Sequence, residues 1–163
     1  MSEDSITYRM ATMDDLSHMM GFWKDNAMHH SEIEPRFQYA SNVETTARAF
    51  LSKQLQSENF FAIIAQVGDD VIGYIAAFVM ERPPIHLYRK IGFIEGLFVK
   101  PAFRRKGIGR GLCEKALALL QEHEVALVHM TVASRNQDAI VFWRKMGFED
   151  LILRMELRLE KEG

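Results

Sequence analysis

The sequence predicts a mixed α/β fold with a mostly antiparallel central sheet of about six to seven strands, flanked by helices. At 163 residues and 48% hydrophobic, the chain suits one compact domain over residues 1–163 rather than two small ones. "FFAIIAQV" and "VIGYIAAFVM", joined by the turn "GDD", form a hairpin of two largely apolar strands. The last segment, "FEDLILRMELRLE", alternates leucine and methionine with mostly charged neighbours, which is typical of a strand with one face in water.

One strand and two helices are expected before this hairpin. "ITYRMA" alternates Ile6, Tyr8 and Met10 and predicts a strand, and Thr12 is a suitable N-cap for the helix that follows. Apolar residues recur at helical spacing in "MDDLSHMMGFWKDNAM" and again in "VETTARAFLSKQLQS". The polar stretch between them, "HHSEIEPRFQYAS", predicts a long connection, and connections of that length usually bind something or move.

After the hairpin, strands and helices alternate. "ERPPIHLYRK" contains Pro83 and Pro84 and predicts a loop, and "IGFIEGLFV" predicts the next strand. A glycine-rich stretch then leads into the helical pattern of "CEKALALLQEH". "VALVHMTVA" predicts another strand, and "NQDAIVFWRKM" predicts a short helix that Gly147 ends.

Charge and composition argue against several classes of function. The chain has 20 basic and 22 acidic residues, so it lacks the excess of cations expected of a nucleic-acid-binding protein. Its single cysteine, Cys113, excludes an internal disulfide framework. The first residues lack the pattern of a signal peptide, and the longest apolar stretch is about half a membrane span. We therefore expect a cytoplasmic protein that binds neither nucleic acid nor membrane.

The stretch "FRRKGIGRGL" places four cations and three glycines at the start of a helix. By itself this is unfavourable, because glycine costs about 1 kcal/mol relative to alanine inside a helix and a cation beside the positive helix end costs up to about 1 kcal/mol. A bound anion would offset both effects, since the first N–H groups of a helix are free and glycine lets a phosphate approach the backbone. The stretch therefore predicts a phosphate site.

Two common phosphate-binding patterns do not fit this stretch. A Walker loop requires Gly-x-x-x-x-Gly-Lys-Ser/Thr, and no glycine here precedes Lys and then Ser or Thr. A dinucleotide fingerprint requires a third glycine where this chain has Leu112. The spacing that fits is Arg104-x-x-Gly107-x-Gly109, between a strand and a helix.

Two motifs carry a resemblance to a known family. The strand "IEGLFV", Pro101 and "RRKGIG" running into a helix resemble the central acetyl-CoA motif of the GNAT superfamily of N-acetyltransferases. Downstream, "NQDAIVFWRKMGF" is similar to that family's Asn-x-x-Ala-x-x-x-Tyr-x-x-x-Gly-Phe segment. The resemblance extends from "ITYRMATMDD" to the final strand. It implies the GNAT fold, in which two strands splay apart to form a coenzyme A cleft, with acetyl-CoA as co-substrate and no metal.

The resemblance also implies which residues hold coenzyme A. The backbone amides of the glycine-rich loop would bind the pyrophosphate, and its cations would add charge nearby. The loop residues are Arg104, Arg105, Lys106, Gly107, Ile108, Gly109 and Arg110. The pantetheine arm would pair with the strand backbone at Leu97, Phe98 and Val99. Asn136 matches the asparagine that contacts this arm, and Phe142 in the same motif is a further cofactor contact.

Glu95 is the candidate catalytic base. It lies in mid-strand within an otherwise apolar run, and a buried carboxylate needs a partner or has a raised pKa. One interpretation is a structural ion pair with Arg89 or Lys90. The other follows from the resemblance, because Glu95 occupies the place where many GNAT proteins carry the glutamate that deprotonates the acceptor amine, often through water. We favour the second, since perturbed ionisable groups cluster at functional sites.

Trp143 departs from the family pattern at the second catalytic position. The family usually has tyrosine there, as the acid that protonates the departing thiolate, and an indole N–H cannot take that role. Water could serve instead, because a thiol with a pKa of about 8.5 leaves readily as thiolate. Trp143 is therefore expected to pack against the cofactor or within the core.

Other reactive side chains are given structural interpretations. Cys113 falls beside an apolar helix stripe and is interpreted as a core thiol rather than a nucleophile. His29 and His30 are adjacent, so they face different ways, and no ligand cluster accompanies them. We expect no metal site.

These features predict an N-acetyltransferase that moves the acetyl group of acetyl-CoA to a primary amine by direct attack in a ternary complex. A backbone N–H near Leu97 or Val99 would hold the oxygen that becomes negative. The alternative is a catalytically weak acyl-CoA-binding or regulatory module on the same fold. The acceptor is a small-molecule or peptide amine, and the acidic long connection, with Glu32 and Glu34, fits a cationic amine or simple solvation. Family members often form homodimers.

Overall fold

The computed structural model describes residues 5–159, which form five strands in one sheet covered by four helices. The strands are β1 Ile6–Met10, β2 Phe60–Val67, β3 Asp70–Glu81, β4 Lys90–Val99 and β5 Leu127–Met130. The helices are α1 Leu16–Ile33, α2 Val43–Gln54, α3 Ile108–Glu122 and α4 Gln137–Lys145. Short 3₁₀ turns at Met13–Asp15 and Pro101–Phe103 lead into α1 and the glycine-rich stretch.

The sheet has the order β1-β2-β3-β4-β5. The first four strands pair antiparallel in sequence, whereas β5 pairs parallel to β4, because α3 carries the chain back across the sheet. Gly68 has a φ of 55°, which suits the tight turn between β2 and β3. The prediction of a mixed, mostly antiparallel sheet flanked by helices is confirmed.

The two faces of the sheet bury different apolar clusters. On one face Ile75, Ile94 and Val99 pack with side chains of α3 and α4, including Leu112 and Trp143. On the other face a smaller cluster forms with α1 and includes Met19, Phe22, Ile64, Tyr74 and Phe98. Since β4 contributes to both clusters, its central residues are held firmly on each side, and this strand can position functional groups.

The close approach of α3 to β1 requires a glycine at position 111. A Cβ atom added to Gly111 would clash with the Tyr8 hydroxyl group. Gly21 lies within α1, and a Cβ atom there would meet nothing within 4 Å. The two glycines therefore form a matched pair for testing the packing of α3.

We expect Gly111→Ala to lower the free energy of unfolding although alanine favours helix. Overpacking costs about 1–3 kcal/mol, which exceeds the gain in helix propensity of about 1 kcal/mol. Gly21→Ala gains the propensity without the clash, so it should raise stability by about 0.5–1 kcal/mol. Urea unfolding of both variants measures the difference. A Gly111→Ala protein as stable as Gly21→Ala would show that α3 does not pack on Tyr8 as described.

One prediction about the chain's connections is wrong, and one strand is shorter than predicted. Helix α1 continues through His29, His30 and Glu32 to Ile33, so the connection to α2 is only residues 34–42. Strand β5 is limited to Leu127–Met130, shorter than the predicted 125–133, because β4 and β5 diverge beyond it.

The predicted final strand is also wrong for residues 149–159, and Glu160 lies outside the described residues. This segment, which we name the C-terminal arm, forms no strand, and every one of its residues is exposed. A strand requires a neighbour for its N–H and C=O groups, and no other part of residues 5–159 supplies one to the arm. The described sheet therefore has five strands rather than six to seven.

Candidate active site

A cleft opens where β4 and β5 separate. Strand β5 pairs with β4 only along Ile91–Ile94, and the next residues of β4, Glu95–Val99, have no partner on that side within residues 5–159. Beyond Met130 the chain leaves the sheet toward α4. The open half of β4 therefore forms one wall of the cleft, as expected for a splayed strand pair.

The pairing register shows which backbone groups of β4 face the cleft. The Lys100 N–H donates to the Ile72 carbonyl at 2.8 Å, so Lys100 faces β3. Along an antiparallel ladder every second residue forms hydrogen bonds to the neighbouring strand. Leu97 and Val99 therefore point their backbone N–H and C=O groups away from β3. The Val99 carbonyl accepts a hydrogen bond from Nε of Arg104 at 2.8 Å. Leu97 thus offers a free N–H and C=O to the cleft.

Glu95 is the extra residue of a β-bulge in β4. In the register with β3, Ala76 opposes Gly96 and Ala77 opposes Ile94, so Glu95 has no residue opposite it. Bulges re-aim side chains and are common beside active sites. The register between β3 and β4, rather than the amino-acid pattern, therefore removes Glu95 from the pairing of the two strands.

The Glu95 carboxylate is reached by water, yet burial raises its pKa above the ordinary value of a glutamate. Both observations fit a group inside a cleft, because the walls replace part of the solvent without sealing the site. Within residues 5–159 Glu95 forms no ion pair, since Arg89 contacts Glu81 instead, at 3.9 Å. The structural ion pair with Arg89 or Lys90 is therefore not formed.

Tyr74 lies beside Glu95 on the α1 side of the sheet. Its side chain is buried, and its hydroxyl lies 3.5 Å from the position that a Cβ atom on Gly96 would take. Burial, and then the charge of Glu95, raise the pKa of Tyr74. The phenol therefore stays neutral and is a poor proton donor near neutral pH.

The glycine-rich loop turns its backbone amides outward ahead of α3. Arg105 and Gly107 have φ values of 61° and 80°, both in the left-handed region. The first hydrogen bond of the helix runs from Gly111 to Gly107 at 3.0 Å, so the amides of residues 108–110 precede it. No backbone carbonyl within residues 5–159 accepts a hydrogen bond from the amides of residues 105–107 either. Such a run of free amides at a helix start is a suitable anion site.

The loop's cations do not all point into solution. Arg104 binds the Val99 carbonyl, and its guanidinium lies 5.6 Å from the ring centroid of Phe98. The Lys106 ammonium lies over the ring of Phe103 at 5.4 Å. Arg105 and Arg110 are exposed beside the free amides. Arg104 is thus held against the end of β4, whereas Arg105 and Arg110 are the cations best placed to meet an anion.

Helix α4 brings the second motif to the cleft. Asn136 is its N-cap, with the side-chain oxygen accepting from the Ala139 N–H at 3.2 Å, and the residue is buried. Phe142 is half-buried, and its ring lies 3.5 Å from the position of a Cβ atom on Gly109. Phe142 and Leu97 therefore border the start of α3 together.

Trp143 lies in the core between two aromatic rings. Only 7% of its surface is exposed, and its ring packs edge-on against Phe142 at 4.9 Å and Phe148 at 5.3 Å. Trp143 was expected to pack either against the cofactor or within the core. Its contacts place it in the core cluster on the α3 side of the sheet. An aromatic side chain held this way supports α4 by packing.

The acidic residue of the α1–α2 connection, Glu34, is not a free anion. Glu34 is buried at the end of α1, where Arg36 contacts its carboxylate at 2.7 Å and Arg135 at 3.5 Å. The hydrogen bond from Arg36, with smaller effects that include the charge of Arg135, lowers the pKa of Glu34 to about 2. This ion-pair cluster ties the connection to the loop that precedes Asn136, so Glu34 is neutralised rather than available to a cationic acceptor.

Tyr39 lies on the outer side of the same connection. Its ring packs edge-on against Trp23, with centroids 5.2 Å apart. Both residues line a shallow depression of about 360 Å³ between α1 and α2. Phe37, in the same connection, is exposed, and Glu32 lies on the last turn of α1.

Other reactive groups lie away from the cleft. Cys113 is fully buried, and burial raises the pKa of its thiol to about 11, which fits a core thiol. The rings of His29 and His30 lie 6.4 Å apart on α1. Residues 5–159 contain no group of three or more potential metal ligands. No helix among them is long and apolar enough to cross a membrane.

The comparison with protein families decides the classification. Residues 25–148, most of the chain, match the acetyltransferase (GNAT) family. The chain belongs to this family. The prediction of a GNAT protein is confirmed, and so, at the level of the family, is the prediction of an acyltransferase.

Individual relatives agree with the GNAT classification. The N-acetyltransferase MJ1207 of Methanocaldococcus jannaschii, itself uncharacterized, is 24% identical over 144 residues, which are 88% of this chain and 61% of that protein. The chain thus spans less than two thirds of this relative's length. The BH1408 protein of Bacillus halodurans, solved as a tetramutant, superposes with a TM-score of 0.84 at 22% identity, covering 94% of this chain and 99% of that one.

A second solved structure has a ligand in its name. AAC(6')-Iy, solved in complex with the bisubstrate analog CoA-S-monomethyl-acetylneamine, has a TM-score of 0.72 at 17% identity, covering 96% of this chain and 99% of that one. At such low identities these structures show the fold alone. The predicted GNAT fold is confirmed.

Sequence reasoning missed Tyr74 and Arg135 as neighbours of the GNAT cleft. Tyr74 was predictable in part, because it carries the one polar side-chain atom in the run "VIGYIAAFVM". Arg135 gave no signal, since its partner Glu34 is distant in sequence and the contact depends on the tertiary fold.

Proposed function

We propose that this GNAT protein transfers the acetyl group of acetyl-CoA to a primary amine by direct attack in a ternary complex. The observation that carries the proposal is Glu95, a carboxylate without an ion-pair partner in residues 5–159, which a β-bulge directs out of the ladder beside the cleft. Burial raises the pKa of this carboxylate, and perturbed ionisable groups cluster at functional sites.

The residues around the cleft fit coenzyme A. The free amides of residues 105–110 would hold the pyrophosphate, and Arg105 and Arg110 would add charge. Leu97 would pair through its free C=O with the pantetheine arm, as an added strand does, which leaves its N–H for the acyl group. Asn136 and Phe142 would border that arm from the other side of the cleft. When bound, acetyl-CoA supplies an acyl group activated as a thioester.

Glu95 would act on the acceptor amine. A lysine-like amine with a pKa near 10.4 is almost fully protonated at neutral pH and has no lone pair with which to attack. Glu95, directly or through one water, would remove a proton from that nitrogen, and its raised pKa makes it a better base than an ordinary glutamate. The Leu97 N–H points into the cleft and would stabilise negative charge that develops on the carbonyl oxygen.

The departing sulfur needs no acid from this chain. Trp143 is buried in the core and Tyr74 has a raised pKa, so neither is a suitable proton donor. A thiol with a pKa of about 8.5 leaves readily as thiolate and takes a proton from water. The absence of the family's usual tyrosine at position 143 is therefore compatible with turnover.

The replacement of that tyrosine also favours a second candidate function. A protein that binds acyl-CoA without efficient transfer, as a regulatory module, needs the amide loop and the β4 edge but no acid. Glu95 distinguishes the two, because a pure binder gains nothing from an unpaired carboxylate beside the thioester. We therefore favour the enzyme.

The direct test is thiol release from acetyl-CoA across a panel of amines and peptides. The panel should contain polyamines, amino acids, aminoglycosides and peptides with free N-termini, with mass spectrometry detecting the gain of one acetyl group. We expect turnover with at least one class. Tight acetyl-CoA binding without thiol release from any acceptor would support the regulatory module, and absence of acetyl-CoA binding would contradict both.

A further inference from the structure

A buried carboxylate joins two segments that lie far apart in the sequence. Glu34 ends helix α1, and its side chain is only 5% exposed. Arg135 follows β5 and immediately precedes Asn136, and its Nε lies 3.5 Å from Oε2 of Glu34. This ion pair therefore links the α1–α2 connection to the loop that leads into α4.

The geometry of the Glu34 carboxylate leaves one side of it for Arg135. Arg36 donates from Nε to Oε1 and from Nη2 to Oε2 of Glu34, both at 2.7 Å. A two-point contact of this kind fixes the plane of the carboxylate. Because Arg36 belongs to the same segment as Glu34, within residues 5–159 it is Arg135 that carries the effect of this carboxylate to another part of the chain.

The turn that contains Arg135 sets the position of Asn136. The Asn136 N–H donates to the Ala133 carbonyl at 2.9 Å, which closes the turn on itself. Residues 131–136 belong to no strand, so sheet hydrogen bonds do not hold this turn in place. Among the described residues, the ion pair with Glu34 is the charged contact that attaches the turn to a distant segment.

Asn136 has one polar group left for a ligand. The residue is buried, and its side-chain oxygen accepts from the Ala139 N–H at 3.2 Å as the N-cap of α4. Its side-chain NH2 group forms no hydrogen bond within residues 5–159, yet it remains accessible to solvent. Hydrogen bonds weaken steeply with distance and angle, so a small displacement of the turn would weaken any bond that this group makes to a ligand.

We propose that Glu34 is a positioning residue for the cofactor, which through Arg135 sets the turn that presents the NH2 group of Asn136 to the pantetheine arm. This inference rests on the proposed acetyl-CoA site and adds to it two residues that lie outside it. Because binding linkage is reciprocal, acetyl-CoA that binds Asn136 also stabilises the ion pair. Cofactor occupancy is thereby communicated to the α1–α2 connection, residues 34–42.

Two other roles for the ion pair predict different results. If it acts on the anionic cofactor only through charge, Arg135→Gln weakens acetyl-CoA binding and Glu34→Gln strengthens it, because the two substitutions change the net charge in opposite directions. If it only stabilises the fold, both substitutions lower the melting temperature and leave the affinity of the folded protein unchanged. Positioning predicts that both substitutions weaken acetyl-CoA binding.

The first experiment is isothermal titration with acetyl-CoA and with 3′-phospho-ADP, the part of coenzyme A that contains the pyrophosphate and lacks the pantetheine arm. We expect Arg135→Gln and Glu34→Gln each to weaken acetyl-CoA binding by about 3- to 10-fold, the usual effect of losing one hydrogen bond. The affinity for 3′-phospho-ADP should not change, because this fragment reaches only the amide loop. The double variant should bind acetyl-CoA as well as the weaker single variant, since both changes break one link.

Two further variants control for the loss of the link. Arg135→Lys keeps the charge at a contact that is not bidentate, so it should bind acetyl-CoA within about twofold of the wild type. Arg36→Gln leaves Arg135 paired with Glu34 and should also bind normally.

The Arg135 side chain is 63% exposed, so its variants should fold even if Glu34→Gln does not. Unchanged acetyl-CoA affinity in Arg135→Gln, an equal loss of affinity for 3′-phospho-ADP, or tighter acetyl-CoA binding by Glu34→Gln would overturn the proposal.

The second experiment is amide hydrogen exchange, followed by mass spectrometry, on the wild type and Arg135→Gln. Saturating acetyl-CoA should slow exchange across residues 34–42 in the wild type but not in Arg135→Gln, and 3′-phospho-ADP should slow it in neither. Equal slowing in both proteins would contradict a link through Arg135.

Both experiments measure binding rather than turnover. A wild-type protein that binds acetyl-CoA without releasing thiol would therefore contradict the proposed enzyme and not this inference, whereas absence of acetyl-CoA binding would overturn both.

Discussion

Replacing Glu95 with glutamine will lower turnover by about 10²–10⁴-fold near neutral pH, the usual contribution of a positioned general base. The affinity for acetyl-CoA should stay within about twofold, because the groups proposed to hold the cofactor are backbone groups of the glycine-rich loop and of Leu97. Isothermal titration and thiol release, measured on the same preparations, separate the two effects. We expect Glu95→Gln to lower kcat and to leave cofactor binding nearly unchanged.

The pH dependence adds a second signature. Burial raises the pKa of Glu95, so the wild-type rate should fall with decreasing pH at values above the ordinary range of a glutamate, as the base becomes protonated. The glutamine variant lacks this ionisation. Raising the pH toward the pKa of the acceptor supplies neutral amine from solution, so the variant should recover partly at alkaline pH. Wild-type turnover in the variant across the whole range would end the case for Glu95 as the base.

Stability provides the control for Glu95→Gln. Without an ion-pair partner among residues 5–159, the Glu95 carboxylate gains nothing from being charged, so its neutral isostere should melt at the same temperature or slightly higher. Glu81→Gln removes a carboxylate from the far end of β3 that contacts Arg89, and it should leave turnover unchanged. A lower melting temperature in Glu95→Gln, with a rate defect that pH does not relieve, would indicate a structural role instead.

Much of this site was predictable because its chemistry is local in sequence. Residues 104–111 are all cations and glycines except Ile108, and a run of free amides at a helix start follows from helix geometry alone. The positive φ of Arg105 was not predictable, since any non-glycine residue avoids that region unless the surrounding structure imposes it. The bulge at Glu95 likewise depends on the register between β3 and β4, which residue patterns do not fix.

The errors have a common physical cause. The polar residues from His29 to Glu32 predict a loop, but helix α1 continues through them because its backbone groups form hydrogen bonds within the helix. The helix ends at Glu34, whose buried carboxylate forms an ion pair with Arg36. In the arm, alternation predicts a strand, yet a strand exists only where another strand meets it. Periodicity describes the faces of an element, whereas its end point and its partner are set by tertiary contacts.

Gly109→Val is expected to weaken acetyl-CoA binding by about 100-fold or more while the domain stays folded. The free amides of the loop surround this position, and a β-branched side chain there would keep a phosphate at a distance from them. Losing two charge-assisted hydrogen bonds, each worth about 1.5–3 kcal/mol, accounts for a change of this size. Isothermal titration with acetyl-CoA measures it.

The fold should tolerate this change because the space beside Gly109 is adequate. A Cβ atom there would meet the Phe142 ring at 3.5 Å and Leu97 at 3.8 Å, which are ordinary van der Waals contacts. Gly109→Ala should therefore bind with a smaller loss than Gly109→Val. Gly21→Val, in the middle of α1 with open space around it, controls for the effect of valine on a helix and should bind normally. Unchanged affinity in a folded Gly109→Val protein would mean that the phosphates do not approach these amides, and the proposed acetyl-CoA site would have to be abandoned.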